Sequence, residues 1–388
     1  MMKEKFLFTA AILFCLLLLN KVNAQIPEGA KPASTNIRAN DYPYILPDLR
    51  VAFKINAPNA GKVQIDLSRM YDMQKDEKGN WTVTTDPQVP GFHYYSLVID
   101  GVKVSDPASE TFYGTGRMSS AIDIPETGVD FYAIKDVPHG DIRSKSYFSK
   151  TTGTWRNVNI YTPPGYDSYT KKSYPVLYIQ HGGGEDERGW AVQGKTNIIL
   201  DNLIAEGKAR PMIVVIPNGN VSKPGSSAVG YTEEAMTNFK EEIFENVIPF
   251  IEKNYRAKKG AANRAISGLS MGGGQAFYTG LRNPDAFAYV GVFSSGIFGG
   301  IARQPGAPEF DAEKAIPGIL TKAESFNKKL KLFYISVGEQ DPRIDYTKKM
   351  IETFRSNGLK VEFNSFPGGH EWQVWRKSLH DFAQKLFR

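Results

Sequence analysis

The stretch Gly268-Leu269-Ser270-Met271-Gly272, preceded by the apolar pair Ala265-Ile266 and followed by Gly273-Gly274-Gln275-Ala276-Phe277, constrains this chain more than any other segment. A serine flanked by glycines, with a strand-like run before it and a helix-ready run after it, reads as a sharp strand-to-helix turn. The glycines are needed because a Cβ at either position would strike the neighbouring strand or helix. Such a turn holds the Ser270 hydroxyl at the tip of a sheet and aims a helix N-terminus at the charge that develops during attack on a carbonyl. A chain with 36 glycines also forms this pattern by chance, so the remaining sequence has to supply the partners that a nucleophilic serine needs.

Lys3 and Lys5 precede an apolar run from Phe6 to Leu19, and Val22-Asn23-Ala24 offers a small-residue cleavage site before Gln25. This is the pattern of a cleavable signal peptide over residues 1–24, too short for a comfortable membrane span, and it predicts a secreted or periplasmic protein. Cys15, the single cysteine, lies inside that run. The exported chain would hold no disulfide, thiolate nucleophile or cysteine metal site and must be stabilised by core packing. Its remaining length suggests two domains. The net charge of +6 is dispersed, with no arginine-rich run, so nucleic-acid binding finds no support.

After an extended, proline-rich lead-in over residues 25–47, short alternating segments follow: Val51 to Ile55, Val63 to Leu67, Trp81 to Thr84 and Phe92 to Ile99. With turn signals at Asp76 to Asn80 and at Asp100-Gly101, they predict a small all-β, Ig-like sandwich over residues 48–130. Trp81, Tyr94 and Tyr95 fall at strand positions that usually face a core. From residue 138 to residue 388 the pattern changes to strands alternating with helices. The near-continuous apolar runs Val176 to Ile179, Met212 to Ile216, Val290 to Phe293 and Leu332 to Val337 predict an α/β domain with a mostly parallel sheet covered on both faces. Amphipathic helices are expected over Glu234 to Tyr255, Tyr346 to Arg355 and Trp372 to Leu386.

A nucleophilic serine in such a sheet takes its acid and its histidine later in the chain. His370 follows the last predicted strand in Phe366-Pro367-Gly368-Gly369-His370, where an imidazole reaches back over the sheet edge; His380, within a predicted helix, covers the surface. The acid belongs after Leu332 to Val337, in Gly338-Glu339-Gln340-Asp341-Pro342. Asp341 is the choice, because a carboxylate on a bounded turn fixes the imidazole tautomer; Glu339 is the alternative and Asp345 stands behind it. His181-Gly182-Gly183-Gly184 follows the strand Val176 to Gln180 and brings an oxyanion amide from Gly182 or Gly183, the second donor being the Met271 amide. His181 itself reads as a loop anchor. Trp190 and Trp372 flank the two loops and either wall a substrate pocket or pack the loop bases. Asp186, Glu187 and Arg188 either order the Gly-rich loop or face solvent. No metal-binding spacing occurs, so no metal is expected.

With these residues in place the chain resembles the exported bacterial esterases of carbohydrate esterase family 1, which include feruloyl and acetyl xylan esterases and are related to esterase D and enterochelin esterase. The resemblance rests on Tyr161 to Tyr166, on Tyr174 to Tyr178 running into His181 to Asp186, on Gly268 to Gly274, and on Gly369-His370-Glu371-Trp372 with Trp375-Arg376. Ala57 to Ala60 and Pro90 to Tyr95 resemble an Ig-like early-set module similar to carbohydrate-binding family 48. The resemblance implies an α/β-hydrolase acting without a cofactor. Ser270 would be its nucleophile, His370 its base and Asp341 its acid, with the Met271 amide in the oxyanion hole and plant hemicellulose, feruloylated or acetylated xylan, as substrate. Hydrolysis of a siderophore ester and non-catalytic glycan binding are the competing readings. For the N-terminal module, packing on the hydrolase is favoured over glycan binding.

Overall fold

A computed structural model of the protein describes residues 27–300 and 309–388, and the expected signal over residues 1–24 lies outside them. In the N-terminal part, alternating residues form two facing sheets. One holds Lys31–Pro32, Tyr44–Ile45, Val51–Asn56, Asn80–Thr84 and Gln74–Lys75. The other holds Thr111–Gly114, Arg117–Ile124, Gly91–Ile99, Val63–Leu67 and Arg69–Asp72, with Val102–Val104 added to Gly91–Ile99. Between them Phe53, Ile65, Trp81, Tyr95, Leu97 and Ile122 are buried, so Trp81 and Tyr95 are core residues, as strand alternation predicts. Asp100 and Gly101 adopt φ of 49° and 85°, the left-handed pair that a two-residue hairpin requires. The stretch 25–47 is not the unpacked lead-in expected. Tyr44–Ile45 pairs with Val51 and Ala52, and Ala33, Tyr44 and Ile45 are buried. Pro32 is tolerated because Lys31–Pro32 is the edge strand, where a missing N–H breaks no ladder, and Pro27, Pro43 and Pro47 lie outside the strands.

The C-terminal part is built on an eight-stranded sheet in the spatial order Asp141–Ser149, Thr154–Thr162, Ile213–Pro217, Val176–Gln180, Arg264–Leu269, Tyr289–Phe293, Leu332–Gly338 and Glu362–Phe366. The first two strands pair antiparallel and join the third antiparallel; the others run parallel. Strands such as Val176–Gln180 and Tyr289–Phe293 are buried at every residue because helices cover both faces. Phe239, Phe277 and Phe354, from Glu233–Glu241, Met271–Arg282 and Ile344–Ser356, belong to the core on one face. Leu200 and Phe382, from Thr196–Ala205 and Trp372–Ala383, belong to that on the other.

The strands Gly91–Ile99 and Arg117–Ile124 of the second sandwich sheet are covered on both faces, and the alternation along Arg117–Ile124 shows how. Ile122 and Ile124 enter the sandwich core, whereas Ala121 joins a cluster shared with Trp190, Trp372 and Trp375 of the α/β part. Asp123, on the same side as Ala121, takes the guanidinium of fully buried Arg376 at 3.2 Å and Lys195 Nζ at 2.9 Å. Arg376 also donates to the Gln193 carbonyl at 2.8 Å. The Gly116 amide donates to the Gly184 carbonyl at 2.8 Å. A Cβ on Gly184, whose φ is +76°, would lie 2.9 Å from the Gly116 nitrogen, so only glycine permits this approach.

Candidate active site

Ser270 ends the strand Arg264–Leu269 and caps the helix Met271–Arg282 with φ 51° and ψ −114°, a strained backbone of the kind that clusters at functional sites. A Cβ on Gly268 would lie 2.5 Å from the Gly272 carbonyl, and one on Gly272 would lie 2.5 Å from the His181 carbonyl oxygen. The two glycines of the opening motif are therefore steric requirements of the turn.

His370, on the loop after Glu362–Phe366, places Nε2 3.0 Å from Ser270 Oγ and Nδ1 2.8 Å from Asp341 Oδ2. Asp341 sits on the loop after Leu332–Gly338 and is 1 % exposed. Its Oδ1 accepts the Arg343 amide at 3.0 Å and the Arg343 guanidinium at 2.9 Å. Burial alone would raise this carboxyl's pKa, but His370 and Arg343 together hold it below the ordinary value. A charged Asp341 fixes the proton on His370 Nδ1 and leaves Nε2 free to accept the Ser270 proton. Glu339 and Asp345 are exposed. His380 stacks 4.4 Å from Phe131 and is not among the residues that line the site.

The oxyanion candidates separate. The Gly182 amide donates to Glu185 Oε2 at 3.1 Å, whereas among the described residues no protein acceptor takes the amides of Gly183 or Met271. A Cβ on Gly182 would meet Leu269 Cδ1 at 2.6 Å; one on Gly183 would meet nothing within 4 Å. Gly183 and Met271 are thus the free donors. His181 is fully buried. Its Nε2 accepts the Gly219 amide at 2.8 Å, which puts the proton on Nδ1, 2.8 Å from the Gly182 carbonyl oxygen. Burial lowers its pKa, and the neutral ring pins the base of the Gly-rich loop.

A cavity of about 320 Å³ opens beside Ser270. On one side stand Leu269, His370, Trp372 and Trp375. Trp372 lines this cavity, whereas Trp190 does not. Its indole donates to the Gln180 carbonyl at 2.8 Å and its ring lies edge-on, 5.3 Å from Trp372. It fills the space beneath the loop, because a fully buried indole N–H needs that backbone acceptor.

The other side of the cavity comes from the sandwich: Ser68, Phe92, His93, Tyr94 and Thr115. Phe92 and Tyr94 share a strand face, with ring centroids 5.1 Å apart, while Tyr95 points into the sandwich core. Strand alternation read for a single core puts Tyr94 in that core and marks none of these residues as a cavity wall. The signal was available: adjacent aromatics at 94 and 95 point to opposite faces, so a strand carrying both is covered twice. Tyr94 Oη accepts from Gln193 Nε2 at 2.9 Å and from Trp372 Nε1 at 3.4 Å. Glu185, also in the wall, is 5 % exposed. Burial pushes its carboxyl up to about 7, opposed by the Gly182 amide, Trp372 and Tyr94. Among the described residues no three potential metal ligands cluster, and no helix is long and apolar enough to cross a membrane.

Residues 149–386 match the Esterase family. The chain belongs to that family. The esterase is 36% identical to an endo-1,4-β-xylanase/feruloyl esterase of Xylanibacter ruminicola, over 94% of this chain and 48% of that protein. It is 29% identical to endo-1,4-β-xylanase Y of Acetivibrio thermocellus, over 75% of this chain and 27% of that protein. The esterase therefore spans about half the length of the first relative and about a quarter of the second. Among solved structures, the CE1 ferulic acid esterase of Anaeromyces mucronatus superposes with a TM-score of 0.56 at 28% identity, covering 67% of this chain and 96% of that one. The enterobactin esterase of Shigella flexneri superposes with a TM-score of 0.64 at 16% identity over 90% of this chain and 94% of its own, a likeness of fold. The esterase is an α/β-hydrolase preceded by a β-sandwich.

Proposed function

We propose that this protein is an exported serine esterase that removes feruloyl groups from xylan side chains. The observation that carries the reading is the hydrogen-bonded series Ser270, His370, Asp341 opening on a cavity walled by aromatic rings. As Ser270 Oγ attacks the ester carbonyl, His370 Nε2 takes its proton and charged Asp341 stabilises the imidazolium. The amides of Met271 and Gly183 receive the oxyanion. His370 then protonates the departing sugar oxygen, leaving an acyl group on Ser270. Water, deprotonated by the same imidazole, releases ferulate and restores the serine.

A planar acyl group suits the cavity because the rings of Phe92, Tyr94, Trp372 and Trp375 all line it, whereas an acetyl group would leave most of its volume empty. The name of the Xylanibacter relative supports the same substrate. No Lys or Arg is among the residues that line the cavity, which speaks against a catecholate siderophore. A non-catalytic role is disfavoured by the 3.0 Å approach of His370 to Ser270. The Lys3 to Ala24 pattern supports export.

The test compares methyl ferulate, acetylated xylan and a catecholate ester for wild type and Ser270→Ala. Preferential turnover of the ferulate, abolished in the variant, is expected. Retained activity in Ser270→Ala would overturn the mechanism, and preference for either other ester would overturn the substrate.

A further inference from the structure

A cavity of about 320 Å³ holds an acyl group but has no room for a polysaccharide, so a sugar chain bearing the ester has to run over the surface. The antiparallel pair Asp141–Ser149 and Thr154–Thr162 presents a surface suited to it. Three directly opposed pairs, Ser144 with Asn159, Ser146 with Asn157 and Phe148 with Trp155, lie two residues apart and therefore share one face. Tyr147, Ser149 and Val158 point inward and are buried, whereas Phe148 is 52 % and Trp155 72 % exposed. Their ring centroids lie 6.0 Å apart. The paired rings give the hairpin one cross-strand contact, yet both stay largely in water, and such exposed apolar surface marks interaction sites.

Next to the rings the strip is polar. Ser146 Oγ donates to Asn157 Oδ1 at 2.9 Å, and Asn157 Nδ2 has no partner among the described residues. A second open cavity, of about 560 Å³, is lined by Ser144, Ser146, Asn157 and Asn159 together with Asp186 and Arg188. Its charged lining residues balance, Lys145 and Arg188 against Asp186 and Glu187, so the groove has no net excess of positive charge to attract an anionic polymer. Apolar rings beside hydroxyls, amides and a carboxylate match a neutral sugar, with its C–H faces and hydroxyl edges.

The strip leads to the catalytic loops. Val158 pairs with Pro217, so Trp155 projects beyond the C-terminal end of Ile213–Pro217, which runs parallel to Val176–Gln180. That is the end from which the Gly-rich loop departs. Asn159 Nδ2 donates to the Glu187 carbonyl at 2.9 Å, Glu187 Oε2 accepts from Asn218 at 3.0 Å, and Asn220 donates to the Glu185 carbonyl at 3.0 Å. Arg188 lies 5.0 Å over the Tyr113 ring, two residues from Thr115 in the cavity wall.

We infer that the Phe148–Trp155 hairpin face is a glycan subsite that holds the neutral polysaccharide chain carrying the ester. This rests on the proposed function for the identity of the chain, but its binding is measurable without hydrolysis. Native gels cast with wheat arabinoxylan would be run with Ser270→Ala, and with Ser270→Ala carrying Trp155→Ala or Phe148→Ala. Retardation of the parent that is lost in both double variants, with unchanged far-UV circular dichroism, is the expected result. Parent and double variants migrating alike would overturn the subsite, as would light scattering showing a dimer that Trp155→Ala converts to monomer, since a second copy would then cover the rings. For the active enzyme, Trp155→Ala should lower the ratio of kcat/KM on feruloylated xylo-oligosaccharide to that on methyl ferulate by about five- to tenfold, as expected for one lost stacking contact. Retardation lost in the variants with no ferulate turnover in wild type would keep the subsite and remove the feruloyl reading; an unchanged ratio would remove the subsite and keep the feruloyl reading.

Discussion

Asp341 gives His370 only one of its two carboxylate oxygens: Oδ2 lies 2.8 Å from Nδ1, while Oδ1 is held by Arg343. The carboxylate is thus fixed at both ends before it meets the imidazole. Asp341→Asn retains the shape but removes the charge that sets the tautomer, and should lower kcat on methyl ferulate by about 10³- to 10⁴-fold. Exposed Glu339 touches neither partner, so Glu339→Gln should stay within about twofold of wild type. The reverse ranking in steady-state assays would transfer the acid role to Glu339.

Glu185 carries a pH signature in stability. Its folded pKa is raised from the usual carboxylate range to about 7, so between these values the folded protein holds a proton that the unfolded chain has released. Its contribution is fully present below the unfolded pKa and is lost as pH rises through 7. Glu185→Gln, which keeps an acceptor for the Gly182 amide, should therefore raise the melting temperature at pH 8 relative to wild type by more than at pH 4. The pH-dependent gain is limited to about 3 kcal/mol. Thermal melts showing the same difference at both pH values would contradict a raised pKa.

Phe92 tests whether the sandwich wall selects the acyl group. Truncation to Phe92→Ala opens the pocket on one side only, so the ratio of kcat/KM for 4-nitrophenyl ferulate to that for 4-nitrophenyl acetate should fall at least about tenfold. The two esters share a leaving group, which confines the comparison to the acyl side. A ratio that stays constant would show that the Phe92 ring does not select the acyl group.

Fully buried Arg376 joins the two halves through Asp123 and is held within its own half by the Gln193 carbonyl. Arg376→Met retains bulk but strips Asp123 of one of its two cations, Lys195 remaining at 2.9 Å. A loss of about 3 kcal/mol is expected in urea denaturation, the lower end for breaking a buried pair. A loss below about 1 kcal/mol would mean that Lys195 alone balances the charge.

Ser270, His370 and Asp341 were readable because this chemistry ties residue type to chain order and to the ends of particular strands. Gly268 and Gly272 were readable because the tight turn leaves no volume for a side chain. Tyr44–Ile45 was misjudged because prolines at a sheet edge resemble prolines in a loop until the partner strand is known. The choice between Gly182 and Gly183 depended on Glu185, whose carboxylate turns back to take one amide and leaves the other free; nothing in the spacing dictates that. Trp190 and Trp372 looked equivalent beside their loops. Only the packing revealed that Trp190 supports Trp372 from below. Phe92 and Tyr94 were hidden by the habit of reading one buried face per antiparallel strand, whereas their strand is covered on both.

The close contact of Gly116 with Gly184 has an evolutionary consequence. One rim of the cavity is carried by a sheet that contributes none of Ser270, His370 and Asp341, yet it is locked to the Gly-rich loop beside them. On the proposed function, a lineage can therefore redraw the shape of the acyl pocket through residues such as Phe92 without disturbing Ser270, His370 or Asp341. Exchange of the whole sandwich for a foreign one is far less accessible, because the replacement would have to bring a backbone amide to the same point against a glycine that allows no clearance.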